Sequence, residues 1–278
     1  MLCNFKSIKM KTTFIIILTF ISLSFSAQKI ISQKVYSPKM KKNIETIIIT
    51  PEIRKGKFYK TIYILHGYSG NPNRTYKQDI PDLVKKSEQF QTIYVLPDGN
   101  FNSWYVDSQI NNNSQYSTFI GKELIDYVDS HFPTIKDRKS RGILGWSMGG
   151  FGAVNVGLNY NQTFSIVGST CGALDCAYFG KGYKNYQVED VLGAFEKLPS
   201  EYQINNRADK MKNADQYYIF DCGTEDEQMI EMNRNFHKTL TNKGVEHFYT
   251  ESLGKHDTEY WSKALSNQLA LFENYFQR

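Results

Sequence analysis

From about residue 46 to the end of the chain, short apolar runs alternate with longer segments whose apolar positions recur every three or four residues. The runs at 45–50, 61–65, 92–96, 142–145, 165–168, 216–221 and 246–250 are rich in Ile, Val, Tyr and Leu, and several are unbroken. A strand with one wet face alternates apolar and polar residues, whereas an unbroken run suits a strand covered on both faces. Helical periodicity fills the intervals at 80–89, 117–131, 149–158, 226–242 and 258–276. This alternation predicts an α/β fold, with a mostly parallel central sheet flanked by helices on both faces. The stretch 171–214, rich in Gly, Tyr, Asn and Lys, interrupts the pattern. It reads as an irregular insertion over the C-terminal edge of the sheet, where ligand-contacting loops collect. No internal repeat or low-complexity linker divides residues 27–278, which read as one domain.

The first residues follow a different pattern. Lys6, Lys9 and Lys11 precede the apolar run 14–25, and the small residues Ser24, Ser26 and Ala27 close it. A basic region, a short apolar stretch and a small-residue exit are the parts of a secretory signal peptide. The apolar run is shorter than the roughly 20 residues a membrane span needs, which weighs against an uncleaved anchor. Cleavage after Ser26 or after Ala27 fits equally, and a start at Met10 would keep the whole signal. The expected location is periplasmic or extracellular.

Losing residues 1–26 removes three lysines and no acids, so the formal charge falls from +5 to +2. Without a basic tract, the mature chain has no feature that calls for nucleic acid. Three cysteines follow the leader: Cys171, Cys176 and Cys222. In an oxidising compartment Cys171 and Cys176 could close a small loop, and three buried free thiols are the equal alternative. The five histidines are scattered with no close His/Cys ligand pair, so no metal site is expected, and no organic cofactor either.

Chemistry enters at Gly145-Trp146-Ser147-Met148-Gly149, a G-x-S-x-G pentapeptide. Alone the pattern is weak, but here a strand-like run enters it and a helix of small residues leaves it. That context is the one in which a serine sits on a strained strand-to-helix turn, with its hydroxyl presented to a substrate. The flanking glycines give strand and helix room to pass, and the Met148 amide at the helix start is a candidate oxyanion donor. A serine needs a base, and the expected chain order is Ser, acid, His. His256, between the last strand-like run and the last helix, is the natural base. The segment after run 216–221 offers Asp226 and Asp221 as the acid, with Asp226 the better placed of the two on the loop and both left open on position alone. His66-Gly67-Tyr68-Ser69-Gly70 follows run 61–65 and would supply a second oxyanion amide, with His66 orienting the turn.

These motifs, taken together and in order, resemble the esterase D-like branch of the α/β-hydrolases. That branch includes feruloyl and acetylxylan esterases, S-formylglutathione hydrolases, tributyrin esterases and mycolyltransferases. The resemblance runs from about Ser37 onward. It is carried by Leu65–Gly70, Pro97-Asp98-Gly99, Ser103–Asp107, Gly145–Ala153, Gly223-Thr224-Glu225-Asp226, and His256 with Trp261. It implies the α/β-hydrolase fold, Asp226 as the acid, and Tyr68 and Met148 as the oxyanion amides. It also makes Trp104, Tyr105 and Trp146 candidate substrate-binding residues. Trp146 departs from the Leu or His more usual before the nucleophile, which bears on the shape of the pocket.

The reading that follows is a secreted serine carboxylesterase that works through an acyl-enzyme, on feruloyl or acetyl esters of plant polysaccharide. The alternatives are an acyltransferase or thioesterase of the same family, and a non-catalytic carbohydrate-binding protein on a hydrolase scaffold.

Overall fold

A computed structural model describes residues 29–175 and 178–278; residues 1–26, expected to be a leader, and Cys176 lie outside the described residues. Eight strands form one sheet. They are β1 (Ile30–Ser37), β2 (Lys42–Ile49), β3 (Lys60–Leu65), β4 (Thr92–Pro97), β5 (Arg141–Trp146), β6 (Ile166–Thr170), β7 (Tyr217–Gly223) and β8 (Phe248–Ser252). Their order across the sheet is β1-β2-β4-β3-β5-β6-β7-β8. The first two strands join antiparallel, and β4 through β8 are parallel.

The unbroken apolar runs do what their composition demands. In β3, Ile62 and Ile64 point into one core with Leu144, Ile166 and Ile219, while Tyr63 and Leu65 point into the other with Ile143 and Val167. Helices cover both faces. Those that matter here are α1 (Leu83–Phe90), α2 (Leu124–His131), α3 (Met148–Asn159), α4 (Ile230–Lys243) and α5 (Thr258–Tyr275). Leu83, Leu265, Leu269 and Phe272 close one face, and residues of α2, α3 and α4 close the other. Among the described residues no helix is long and apolar enough to cross a membrane.

Two differences from the sequence expectation have simple causes. Strand β1 was not expected, because its residues alternate between half-exposed and exposed over most of its length. It is recruited by β2, which pairs with it residue for residue from Ile30↔Ile49 to Ser37↔Lys42. The last helix-forming pattern before β8 starts at Ile230 rather than 226, because residues 223–229 form the turn that carries Asp226.

The chain builds β3, steps outward to β4, then returns past β3 to build β5. Such a reversal leaves a crevice outside the C-terminal strand ends, and the loops after β3 and β5 meet there. Parallel register brings the neighbouring ends into line, with Leu65 opposite Gly145, Trp146 opposite Thr170, and Thr170 opposite Asp221.

Candidate active site

Ser147 is the single residue between β5 and α3, and its backbone is held at φ 55°, ψ −120°. A side chain in that region is strained and persists only where its surroundings dictate it. Here its N–H donates to Thr170 O at 3.0 Å, and its carbonyl accepts from Ala173 N–H at 3.3 Å and from Phe151 N–H at 3.1 Å. The two glycines of the motif permit this turn. A Cβ at Gly149 would lie 2.1 Å from Leu65 O, and one at Gly145 would lie 2.4 Å from Gly149 O. Strand β3, the turn and α3 therefore touch backbone to backbone.

His256 lies in the loop between β8 and α5, and Asp226 in the loop between β7 and α4. His256 Nε2 is 2.9 Å from Ser147 Oγ, and His256 Nδ1 is 2.6 Å from Asp226 Oδ2. Asp226 is buried, and its second oxygen accepts from Met229 N–H at 3.1 Å, so the carboxylate cannot swing away freely. The imidazole is fixed from one side by Trp261, whose ring meets it edge-on at 5.1 Å. Burial disfavours the imidazolium, yet the Asp226 carboxylate, helped by the contact with Cys171, outweighs it and pushes the His256 pKa up to about 9.

Asp221 is not part of this relay. Its buried carboxylate accepts from Thr170 Oγ1 at 2.9 Å, Tyr260 OH at 3.1 Å and Gln268 Nε2 at 2.5 Å. Burial nevertheless raises its pKa to about 6 against those three hydrogen bonds. Asp221 thus ties the ends of β6 and β7 to α5.

On the other side of Ser147 lies the turn after β3. Ser69 N–H is spent on Phe101 O at 2.9 Å and Gly70 N–H on Gly67 O at 3.0 Å. Tyr68, the residue before both, lines the cavity, and Met148 opens α3, where the first amides have no partner within the helix. His66 holds the turn as expected: its Nδ1–H donates to Gly67 O, and its Nε2 accepts from Gly99 N–H, both at 2.8 Å.

A cavity of about 220 Å³ opens over Ser147 and His256, walled by Tyr68, Arg74, Trp146, Tyr186 and Trp261. Trp146 lines it, with its ring 6.3 Å from that of Trp261. Trp104 and Tyr105 do not, which corrects their reading as substrate contacts. Trp104 is buried against Phe151 and Phe179 and donates Nε1–H to Tyr186 O. Tyr105 is buried under α3, with its hydroxyl donating to His66 O at 3.0 Å. Both support cavity walls from below. Arg74 and Asp79, which no motif flagged, also reach the cavity, with Arg74 Nε 3.4 Å from Asp79 Oδ1. Burial raises the Asp79 pKa, and Arg74 opposes that shift.

Cys171 and Cys222 are buried free thiols. The expected insertion contains short helical turns, among them Gly182–Asn185, Glu189–Leu192 and Ala208–Lys212, and delivers Tyr186 to the cavity wall.

A doubly covered, mostly parallel sheet with a serine on a strained strand-to-helix turn defines an α/β-hydrolase. Within that class, the family model described as "Putative esterase" matches residues 37–272, and the chain belongs to that family. An acetyl esterase of Caldicellulosiruptor saccharolyticus is 31% identical over 84% of this chain and 93% of its own. Among solved structures, FphF, a fluorophosphonate-binding serine hydrolase of Staphylococcus aureus, superposes with TM-score 0.78 at 22% identity over 88% of this chain and 98% of its own. A ferulic acid esterase of Anaeromyces mucronatus gives 0.65 at 17% identity over 89% and 90%. The chain is a carboxylic ester hydrolase.

Proposed function

We propose that this protein is an exported serine carboxylesterase that removes small acyl groups, acetyl in preference to feruloyl, from polysaccharide. The observation that carries the reading is the unbroken relay from Asp226 Oδ2 through His256 to Ser147 Oγ, with gaps of 2.6 and 2.9 Å, ending at the cavity floor. His256 Nε2 takes the Ser147 proton as Oγ attacks the ester carbonyl. The Tyr68 and Met148 amides stabilise the resulting oxyanion, and His256 returns the proton to the departing alcohol. Water then repeats the sequence on the acyl-enzyme. Asp226 keeps the Nδ1–H tautomer in place and stabilises the imidazolium while it exists.

The preference for acetyl is supported by the cavity. Its volume of about 220 Å³ lies below the roughly 300–1,000 Å³ of sites that enclose drug-sized ligands, and two indole rings narrow it. The relative from Caldicellulosiruptor saccharolyticus is named an acetyl esterase, which supports the same choice. The leader at 1–26, which lies outside the described residues, supports export.

A panel of p-nitrophenyl acetate, p-nitrophenyl butyrate, methyl ferulate and acetylated xylan tests the reading. With p-nitrophenyl ferulate added so that the leaving group is held constant, p-nitrophenyl acetate is expected to exceed it in kcat/KM by about tenfold or more, the scale on which a tight pocket rejects extra bulk. No turnover of any member would sink the esterase reading, and a ferulate preference would sink the acyl assignment.

The pH profile provides a separate test. Imidazolium cannot accept a proton, and His256 is held above its ordinary pKa. Activity therefore falls about tenfold for each pH unit below that pKa and levels off above it. The kcat/KM for p-nitrophenyl acetate should keep climbing above pH 7, and a plateau already complete at pH 6 would contradict the role given to Asp226.

A further inference from the structure

The sequence shows no close His/Cys pair, yet the fold makes one. Cys171 directly follows β6 with φ 45°, a left-handed conformation that is strained for a side chain. Its N–H donates to Asp221 O at 2.8 Å, and Thr170 before it and Ala173 two residues after it bind the backbone of Ser147. The thiol is fully buried and lies against both the His256 imidazole and the Cys222 thiol. One ligand atom each from Cys171, Asp226 and His256 lie within 4.8 Å of one another, and Cys222 Sγ is 3.9 Å from Asp226 Oδ2.

Acyl transfer by Ser147 makes no use of either thiol. Two sulfurs, one imidazole nitrogen and one carboxylate oxygen are, however, a donor set that tetrahedral zinc accepts. Metal–ligand bonds of about 2.0–2.3 Å set tetrahedral ligand atoms about 3.3–3.8 Å apart. Binding would open the Asp226–His256 gap of 2.6 Å and close the wider ones, so an ion enters only by breaking the Asp226–His256 hydrogen bond. Sulfur ligands favour thiophilic ions over Mg²⁺ and Ca²⁺. His256 is the member of the set that borders the cavity, which gives an ion a way in.

We propose that Cys171, Cys222, Asp226 and His256 bind a thiophilic divalent cation, Zn²⁺ or Cd²⁺, and that its binding switches hydrolysis off. The two thiol protons leave to solvent as two metal–thiolate bonds form. His256 binds through Nδ1, and its proton moves to Nε2, the atom that must otherwise receive the Ser147 proton. No electron transfer occurs, so a chelator reverses the process. The switch rests on the relay argued under Proposed function, whereas the binding site does not.

The test titrates the purified protein with CdCl₂ in thiol-free buffer while following the ultraviolet thiolate-to-cadmium absorption and p-nitrophenyl acetate hydrolysis. The absorption should saturate at one Cd²⁺ per chain, hydrolysis should fall in proportion, and EDTA should restore it. Ser147→Ala should give the same absorption, because binding does not need the nucleophile. Cys171→Ser should raise the half-inhibiting Cd²⁺ concentration by about 100-fold or more, since loss of a ligand exceeds the 10–100-fold cost of losing an outer partner. Cys222→Ser carries the same test should the first variant fail to fold. Undiminished inhibition in the variant that folds, or inhibition without the absorption, would overturn the proposal and move the ion to other ligands. One-to-one absorption with hydrolysis intact would overturn the switch. In that case an active His256→Ala would locate the error in the relay, and an inactive one would locate it in the metal proposal alone.

Discussion

Replacing Ser147 by alanine is expected to lower kcat for p-nitrophenyl acetate by about 10⁵–10⁶-fold, the scale reported for loss of the nucleophile in serine hydrolases. The variant loses the attacking atom and keeps the surroundings that stabilise the oxyanion, so a residue of catalysis over water should survive. Folding should be little affected. The hydroxyl makes one side-chain hydrogen bond, to His256 Nε2, and borders the cavity, so its removal leaves no buried group stranded far from water. Kinetics together with a melting curve check both halves of the expectation. A loss of activity accompanied by a large fall in Tm would report damage to the turn rather than removal of a nucleophile.

The second large effect separates two aspartates that sequence position alone left open. Asp226→Asn is expected to lower kcat by about 10⁴-fold, as loss of the orienting carboxylate does in a Ser-His-Asp triad. An amide nitrogen turned toward Nδ1 would favour the tautomer that carries its proton on Nε2, and that tautomer cannot accept from Ser147. Asp221→Asn should stay within about tenfold of the wild type, because the residue reaches the site only through the packing of β6, β7 and α5. Its new amide can be accommodated if the Gln268 side chain turns over, since Gln268 Oε1 has no hydrogen-bond partner in the native arrangement. Folded Asp221 titrates near 6, above its ordinary value, so its charged form costs stability above that pH and its protonation restores stability as pH falls through it. The asparagine variant should lack this acid-side gain in a urea titration. Measured kcat values in the reverse order would refute the choice of Asp226.

Much of this arrangement is legible from the chain because strand order and loop order are linked. The unbroken apolar runs mark strands buried on both faces, and three proposed catalytic groups follow one of them: Tyr68 after β3, Ser147 after β5 and Asp226 after β7, while His256 follows the edge strand β8, whose residues alternate between exposed and half-exposed. What one sequence cannot display is which side of a wall a residue occupies. Trp104 and Tyr105 sit in a motif that implies proximity to substrate, but they face the core beneath α3 and the Tyr186 backbone. Arg74, Asp79 and Trp261 come to the cavity from a short helical segment after β3 and from α5, and only the packing of those elements puts them together. Cys171 and His256 are equally remote in the chain. They meet because β6, β7 and β8 lie side by side in register, a relation that no local spacing encodes.

The central claim is that Ser147 is the atom source of the acyl-enzyme, and chemical trapping tests it most directly. The protein would be incubated with a small fluorophosphonate, digested, and its peptides weighed and fragmented. One adduct per chain is expected, on Ser147, formed at the rate at which hydrolysis is lost and abolished in His256→Ala. Complete loss of hydrolysis with Ser147 unmodified, or an adduct on a different residue, would contradict it.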